Sequence, residues 1–329
     1  YPMSTFPARR PRRLRTTPQM RNLVAETEVR PSDLILPMFI VDGLDAPREI
    51  PSMPGVYQHT FDSLRRAAEE ALEAGVPCID LFGVPLDEDK DDTGSVAWDP
   101  QGILNRGISC LHEEFGDDLI VMADTCLDEF TSHGHCGVLD DKGRVLNDAS
   151  VKLYQDMARS QARAGVQIVS PSGMMDGQVA AIRADLDEAG HEDVAIMAYS
   201  AKYASAFFGP FRDAVGSSLE GDRRTYQQDP RNFRESLLEA ELDIEEGADF
   251  VMVKPGLPYL DVLSAVAETS PVPVAVYQVS GEYAMVKAAA ANGWIDGEAI
   301  MLESLTAFKR AGAGQILTYF ATEAARLLK

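Results

Sequence analysis

The sequence predicts a (β/α)8 TIM barrel preceded by an extended N-terminal arm. Eight short apolar segments alternate with segments whose apolar residues have helical spacing. The apolar segments contain few polar residues, which is typical of parallel strands that are covered on both faces. No Gly-x-Gly-x-x-Gly motif follows any of them, which disfavours an open dinucleotide-binding sheet. A chain of 329 residues has room for eight such units in one closed barrel.

The predicted elements follow one another in a regular order. A first strand covers 33–41, and a long irregular segment precedes a helix over 61–75, where Leu64, Ala68 and Leu72 share one face and Gly75 ends it. The remaining strands are predicted over 76–84, 118–123, 166–170, 194–200, 248–254, 272–279 and 315–320. The remaining helices are predicted over 105–116, 148–165, 177–190, 230–247, 259–269, 281–292, 299–311 and 322–329.

Helix ends carry local signals. Asp148 and Asp229 precede apolar periodic segments and are expected N-caps. Gly165, Gly247 and Gly312 each separate a helix from a strand and suit the residue that follows a helix. The segment between 201 and about 228 is expected to be an aromatic, glycine-containing loop.

The arm is assigned to residues 1–30 and the catalytic barrel to residues 31–329. The arm is basic, although the whole chain has a formal net charge of −22. Its arginines are Arg9, Arg10, Arg12, Arg13 and Arg15. Such an arm is either solvated or docks on an acidic neighbouring subunit.

Composition excludes several classes of protein. A net charge of −22 disfavours nucleic-acid and anionic-membrane partners. No segment approaches the roughly 20 apolar residues of a membrane-spanning helix, and no apolar segment of a signal peptide follows the arginines. Four cysteines are too few for a disulfide scaffold of this length. We therefore expect a cytoplasmic protein without nucleic-acid or membrane partners.

Two lysines stand at the ends of adjacent predicted strands. Lys202 follows the fifth strand and Lys254 ends the sixth, and the chain has few other lysines. Chemistry in a barrel is located at the carboxyl ends of its strands. Burial and the repulsion between two neighbouring ammonium groups lower the pKa of at least one of them. A neutral amine attacks carbonyl groups and forms a Schiff base.

The loop after the third strand is rich in metal ligands. Cys126, Asp128 and Cys136 lie within eleven residues, and the alternatives are a metal site or a polar loop with reduced cysteines. Two sulfur ligands favour zinc over magnesium.

Further polar residues follow the other strands. Ser172 and Asp176 come after the fourth strand, where they serve a substrate or cap the next helix. Arg212 and Arg223 lie in the aromatic loop and are suited to bind a carboxylate. The residues alone thus predict a barrel enzyme that forms lysine Schiff bases with a carboxylate-bearing carbonyl compound. Two lysines mean two carbonyl substrates, or one nucleophile and one base as in a class I aldolase.

Several long sequence motifs, which follow one another along the chain in the same order, resemble those of the porphobilinogen synthase (5-aminolevulinate dehydratase) family. The resemblance begins at about Ser32 and covers nearly all of the chain after it. The motifs are IPSMPG at 50–55, TSHGHCG at 131–137, MMDG at 174–177, YSAKY at 199–203, GPFRD at 209–213, MVKPG at 252–256 and the segments 277–285 and 302–312. The resemblance implies a hydro-lyase of tetrapyrrole (heme) biosynthesis. It would condense two 5-aminolevulinate molecules to porphobilinogen with loss of two waters.

The resemblance also implies residue roles. Lys254 and Lys202 would each bind one substrate molecule, Lys254 the one that becomes the propionate side. The carboxylate of the second substrate, which is bound to Lys202, would be held by Arg212, Arg223 and Gln227. The carboxylate of the first substrate, on Lys254, would be held by Ser280 and Tyr319. Tyr277 and Phe82 would line the first pocket, and Asp124 and Ser172 would lie near the second amine.

The same resemblance implies bound metal ions and an oligomeric state. Zinc-type members carry three cysteines where this chain has Cys126, Asp128 and Cys136, so we expect zinc at a hybrid site. Gly173 stands where the family usually has Asp. Glu239 matches the position that binds an allosteric magnesium, and plain solvation is the alternative. The family forms homo-octamers through N-terminal arms.

Overall fold

The computed structural model describes residues 7–329. Eight parallel strands form a closed barrel. The described residues contain ten strands, and all except the second and third close the barrel: β1 Leu34–Val41, β2 Arg48–Glu49, β3 Tyr57–His59, β4 Cys78–Val84, β5 Ile120–Thr125, β6 Ile168–Pro171, β7 Ala195–Lys202, β8 Phe250–Lys254, β9 Val274–Gln278 and β10 Gln315–Thr318. β1 pairs with β4 on one side and with β10 on the other, where Leu34 lies opposite Ile316. The predicted (β/α)8 barrel is confirmed.

Most helices lie between consecutive strands and surround the barrel, whereas the first belongs to the arm and the last follows the final strand. The helices are α1 Pro18–Leu23, α2 Phe61–Ala74, α3 Ile103–Phe115, α4 Asn147–Ala164, α5 Gln178–Glu188, α6 Gly209–Val215, α7 Arg234–Glu245, α8 Leu260–Thr269, α9 Ser280–Ala291, α10 Gly297–Arg310 and α11 Ala321–Leu327. The barrel strands are buried almost throughout, because helices cover their outer face and side chains fill the interior. Among the helices of residues 7–329, none combines the length and apolar character needed to cross a membrane.

The predicted glycine positions are correct. Gly165, Gly247 and Gly312 have φ of 105°, 105° and 110°, which is the left-handed conformation that lets a helix end and the next strand begin.

Both predicted aspartate N-caps are wrong. Leu146 is the residue that precedes α4, and the Asp148 carboxylate accepts a bond from Asn147 instead. The Asp229 carboxylate pairs with Arg231 in a local turn, so α7 begins five residues later, at Arg234. In both places a short polar contact outcompetes the cap.

Two short structures were not predicted. The irregular segment after β1 contains the antiparallel pair β2–β3, and the aromatic loop after β7 contains α6. Both are short and depend on contacts with distant segments, so local periodicity did not reveal them.

The described part of the arm, residues 7–30, lies mostly on the surface. It contains a 3-10 helix over Pro11–Arg15 and α1, and neither buries a side chain. Residues 1–6 of the predicted arm lie outside the described residues.

Candidate active site

Two buried amines lie side by side at the carboxyl ends of β7 and β8. Lys202 and Lys254 are paired in the parallel register between the strands, and their exposed fractions are only 5% and 6%. Their Nζ atoms lie 5.4 Å and 5.0 Å from the centre of the Tyr199 ring. The register between the two strands shifts between Ala198 and Ala201, just before Lys202.

Aromatic rings surround the Lys254 amine. Its Nζ lies 4.3 Å from the centre of the Tyr277 ring, 5.2 Å from that of Phe208 and 5.5 Å from that of Phe211. Burial, followed by the charge of Lys202, lowers the pKa of Lys254 to about 7. A large fraction of this amine is therefore neutral and nucleophilic near neutral pH.

Polar groups surround the Lys202 amine. Its Nζ donates a hydrogen bond to the Ser172 carbonyl oxygen at 2.7 Å, and Asp124 and Asp128 lie on the same side. Burial, followed by the charge of Asp128, raises the pKa of Asp124 to about 6. This half of the site therefore contains a carboxyl group that exchanges protons near neutral pH.

The predicted metal ligands converge. The sulfur atoms of Cys126 and Cys136 and a carboxylate oxygen of Asp128 all lie within 4.8 Å of one another. Burial opposes ionisation of Cys136, but the hydrogen bond from Cys126 and the charge of Arg223 outweigh it and lower the pKa of the Cys136 thiol. Two sulfurs and one oxygen at this spacing fit a tetrahedral zinc site.

A second group of possible ligands shares Asp128. Carboxylate oxygens of Asp124, Asp128 and Glu129 also lie within 4.8 Å of one another. This set contains only oxygen, which suits magnesium better than zinc.

Tyr154 on α4 supports the two cysteines and was not predicted. Its hydroxyl donates to the Cys136 carbonyl oxygen at 2.7 Å and lies 3.4 Å from the Cys126 sulfur. A Cβ atom at Gly173 would collide with this hydroxyl. The absence of a side chain at residue 173 is thus coupled to the tyrosine at residue 154.

Arg223 connects the metal-ligand cluster with the cavity. It pairs with Asp128 at 2.8 Å and donates to the Gly134 carbonyl oxygen at 2.9 Å. Several buried polar atoms around it have no hydrogen-bond partner within residues 7–329, namely Arg223 Nε, Gln227 Nε2, Asp124 Oδ1 and Glu129 Oε1. Unpartnered buried groups are costly, and in a cavity they indicate a polar ligand.

Seven of the predicted catalytic and substrate-binding residues line one cavity. They are Phe82, Asp124, Ser172, Lys202, Arg212, Arg223 and Lys254. Arg212 is exposed at its rim. Gln227 lines a neighbouring cavity instead, together with Glu239.

The predicted hydroxyl groups lie behind the aromatic wall. The Tyr277 and Tyr319 hydroxyls are 3.1 Å apart, and Ser280 Oγ accepts a hydrogen bond from the Phe211 N–H at 3.0 Å. Phe211 and Phe82 meet edge to face, with ring centres 5.3 Å apart. These contacts place α6 over the Lys254 amine.

Besides Tyr154, three buried residues of the site were not predicted: Asp80, Glu129 and Tyr199. A lone acidic residue inside an apolar strand is a usable signal for Asp80, because such a group is rarely buried without a role. Tyr199 had no comparable signal, since tyrosine is common in strands.

Comparisons with known proteins agree with this geometry. The family model "Delta-aminolevulinic acid dehydratase" matches residues 8–327. The chain is 64% identical over 323 residues to a delta-aminolevulinic acid dehydratase of Mycobacterium tuberculosis, covering 98% of each chain. It is 62% identical over 325 residues to that of Streptomyces coelicolor, covering 99% of this chain and 98% of the relative.

A solved structure shares the complete fold. The delta-aminolevulinic acid dehydratase (porphobilinogen synthase) of Toxoplasma gondii ME49, crystallised with the reaction product porphobilinogen, superimposes with a TM-score of 0.95 at 46% identity. The match covers 99% of this chain and 92% of that one. The alternative of an aldolase is therefore set aside. The chain belongs to the delta-aminolevulinic acid dehydratase, or porphobilinogen synthase, family of hydro-lyases, which act in tetrapyrrole biosynthesis.

Proposed function

We propose that Lys254 and Lys202 each bind one molecule of 5-aminolevulinate as a Schiff base while the enzyme makes porphobilinogen. The observation that carries this proposal is the pair of buried amines opposite each other on β7 and β8. Condensing two copies of one ketone requires two separate binding positions, and each amine provides one.

Lys254 attacks its substrate as a neutral amine. Its burial, followed by the charge of Lys202, disfavours the ammonium form, so the amine attacks without first losing a proton to another group. The nearby rings, including Phe82 across from Phe211, exclude water from the imine. Tyr277 is the ring closest to the reacting nitrogen.

Each substrate molecule has its own carboxylate partners. For the molecule on Lys254, the hydroxyls of Ser280 and Tyr319 donate to the carboxylate. For the molecule on Lys202, Arg212, Arg223 and Gln227 do so. The unpartnered Arg223 Nε and Gln227 Nε2 support this assignment, because each has a donor to offer.

Proton transfer belongs to the Lys202 half of the site. Asp124 has a pKa of about 6 and a free carboxylate oxygen, so it is suited to accept and return a proton near the second substrate. Ser172 bonds the Asp124 carboxylate and presents its carbonyl oxygen to Lys202, which holds the acid and the amine in a constant relative position.

Zinc is the metal we assign to Cys126, Asp128 and Cys136. These three side chains would hold the ion, and Lewis-acid chemistry would then be supplied beside the cavity. The ion pair between Asp128 and Arg223 keeps the Asp128 carboxylate ionised, as a ligand must be.

Magnesium is proposed at a second place, near Glu239. Burial, followed by the charges of Asp176 and Glu235, raises the pKa of Glu239 to about 7, and a cation would relieve this repulsion. We expect magnesium to increase activity in the wild type and not in Glu239→Gln. A flat magnesium titration of the wild type would contradict the assignment.

The N-terminal arm is proposed to assemble the enzyme into a homo-octamer. The arginines of the described arm are exposed on a protein of net charge −22. Light scattering should give eight chains for the wild type. A smaller assembly should result when Arg12, Arg13 and Arg15 are replaced by Ala.

Borohydride trapping tests the roles of the two lysines. Borohydride reduces an imine to a stable amine, so substrate becomes attached to the lysine that bound it. Peptide mass analysis after incubation with 5-aminolevulinate should find label on Lys254 and on Lys202. Label on neither lysine would refute the proposal. The exposed Lys152 is an internal control and should remain unlabelled.

A further inference from the structure

We propose that Asp80, acting through the Tyr199 hydroxyl, is a positioning residue that provides the negative counter-charge for the Lys254 Schiff base. The inference rests on the proposed role of Lys254. It concerns a carboxyl group beneath the cavity that none of the roles above uses.

Asp80 lies inside the barrel, one layer below the substrate cavity. It is in the middle of β4, opposite Pro37 of β1 and Met122 of β5, and is completely buried. Phe82 comes two residues later on the same strand, so both side chains point to the same face. Because Phe82 lines the cavity, Asp80 lies beneath it, toward the amino ends of the strands.

The contacts of Asp80 lead to the two amines. Its Oδ2 accepts a hydrogen bond from the Tyr199 hydroxyl at 3.2 Å. The Tyr199 ring in turn faces Lys254 Nζ at 5.0 Å and Lys202 Nζ at 5.4 Å. Within the described chain, Asp80 Oδ1 has no partner. A fully buried carboxyl with a free oxygen is expensive for folding, which indicates that it is retained for a task.

Titratable groups face Asp80 from several elements. Cys78 lies on its own strand, Asp124 on β5, Tyr199 on β7, Lys254 on β8, Tyr277 on β9, and Tyr319 just after β10. Burial, followed by the charge of Asp124, raises the pKa of Asp80, while Lys254 and the Tyr199 hydrogen bond lower it. Lys254 is the basic group among these, so a positive charge on its nitrogen favours the carboxylate form of Asp80.

The charges balance when the Schiff base forms. The Lys254 nitrogen bonds to the carbonyl carbon, and the carbonyl oxygen leaves as water. Starting from a neutral amine, the protonated imine requires one additional proton. A protonated Asp80 carboxyl provides the equivalent of that proton and becomes a carboxylate. The buried site thus goes from two neutral groups to one ion pair, with no net charge added to the interior.

The test measures how pH affects imine formation at Lys254. Levulinate, which is the substrate without its amino group, is trapped with borohydride between about pH 6 and 10, and the Lys254 peptide is quantified by mass. Without the carboxylate, the imine loses its proton about one pH unit earlier. Asp80→Asn and Asp80→Leu should therefore both reduce trapping about tenfold at the alkaline end.

The two variants separate counter-charge from structure. An Asn side chain still accepts the Tyr199 hydrogen bond, whereas Leu does not. If Asp80 only supports the fold, Lys254 of Asp80→Asn will be labelled as much as in the wild type at every pH, and the proposal is overturned. Asp185→Asn is the matched control, because Asp185 is buried on α5 and pairs with Arg159 outside the barrel interior. It should trap like the wild type.

Further measurements keep the test decisive. Circular dichroism identifies a variant that does not fold. If Asp80→Asn is unfolded, Tyr199→Phe replaces it, which keeps the ring and removes the hydroxyl; alkaline trapping equal to the wild type would then refute the proposal. A wild type without label on Lys254 contradicts the proposed function. A labelled wild type with an equally labelled Asp80→Asn contradicts only the role of Asp80.

Discussion

The two halves of the active site place the same side chain in opposite surroundings. Around Lys254 the neighbours are rings, chiefly Tyr277, Phe208 and Phe211. Around Lys202 they are a main-chain carbonyl oxygen, the carboxyl groups of the β5 loop and, beyond them, the cysteine cluster. The apolar half makes an amine reactive by disfavouring its charge. The polar half contains charged groups, to which we assign metal binding and proton transfer.

The proposed roles divide one reaction between two neighbouring strands of the barrel. β7 and β8 are adjacent, so the two amines lie side by side, and substrates bound to them as proposed would be neighbours. The loops that follow different strands determine what surrounds each amine. α6 covers Lys254, whereas the loop after β5 reaches Lys202.

Replacing each lysine is the strongest test of this division. Lys254→Met and Lys202→Met should each reduce kcat at least about 10⁴-fold, because each removes a nucleophile. The halves should still differ in borohydride trapping, since Lys202→Met keeps the reactive amine and should still be labelled at Lys254. Lys152→Met, at the surface, is the control. A Lys202→Met variant with normal turnover would show that the halves do not share the reaction.

The second test removes a ligand from the polar half. Cys136→Ser should lose zinc and reduce activity about 100-fold, while trapping at Lys254 stays intact. Cys110→Ser, a free cysteine on α3, should retain both zinc and activity. The assignment of zinc fails if protein purified without chelator contains none and chelation leaves activity unchanged. Recovery of chelated enzyme by magnesium alone would favour the oxygen ligands instead.

The third test uses pH and concerns the apolar half. Because the neutral amine is the nucleophile, the rate of trapping at Lys254 should fall about tenfold per pH unit below its pKa of about 7. Above that pH the rate should level off. Rapid mixing with levulinate and borohydride measures the trapping rate at each pH directly. A midpoint near that of an ordinary lysine would show that burial does not disfavour the charge of Lys254.

A smaller effect is expected from Tyr154. Tyr154→Phe leaves the Cys136 carbonyl oxygen without its donor and should weaken zinc binding up to about tenfold, measured by competition with a chelator. The matched control is Tyr57→Phe. Tyr57 is an exposed tyrosine on β3, whereas the two cysteines are in the loop that follows β5. Unchanged zinc affinity in Tyr154→Phe would mean that the tyrosine only fills space.

The same region offers a check on Gly173. Gly173→Ala should lower the free energy of unfolding by about 1–3 kcal/mol, because its Cβ would collide with Tyr154. Combining it with Tyr154→Leu should recover part of that loss in a double-mutant cycle. Additive effects would contradict the coupling.

Much of the molecule was predictable from local pattern. Apolar segments followed by helical periodicity predicted the eight barrel strands, and glycines such as Gly165 marked the helix ends. Lys202 and Lys254 were found because each follows an apolar strand, and topology brings strand ends together. α6 and the β2–β3 pair were missed, since their stability comes from contacts with distant segments.

By itself the sequence determined the barrel, the two strand-end lysines and the candidate ligands Cys126, Asp128 and Cys136, because strand periodicity and residue type are local properties. Tertiary structure alone decided which groups meet. Asp80 and Tyr199 are 119 residues apart, and Tyr154 reaches two cysteines from a helix that follows their loop. Burial and neighbouring charge set the chemistry of a side chain, and both arise only when distant segments pack together.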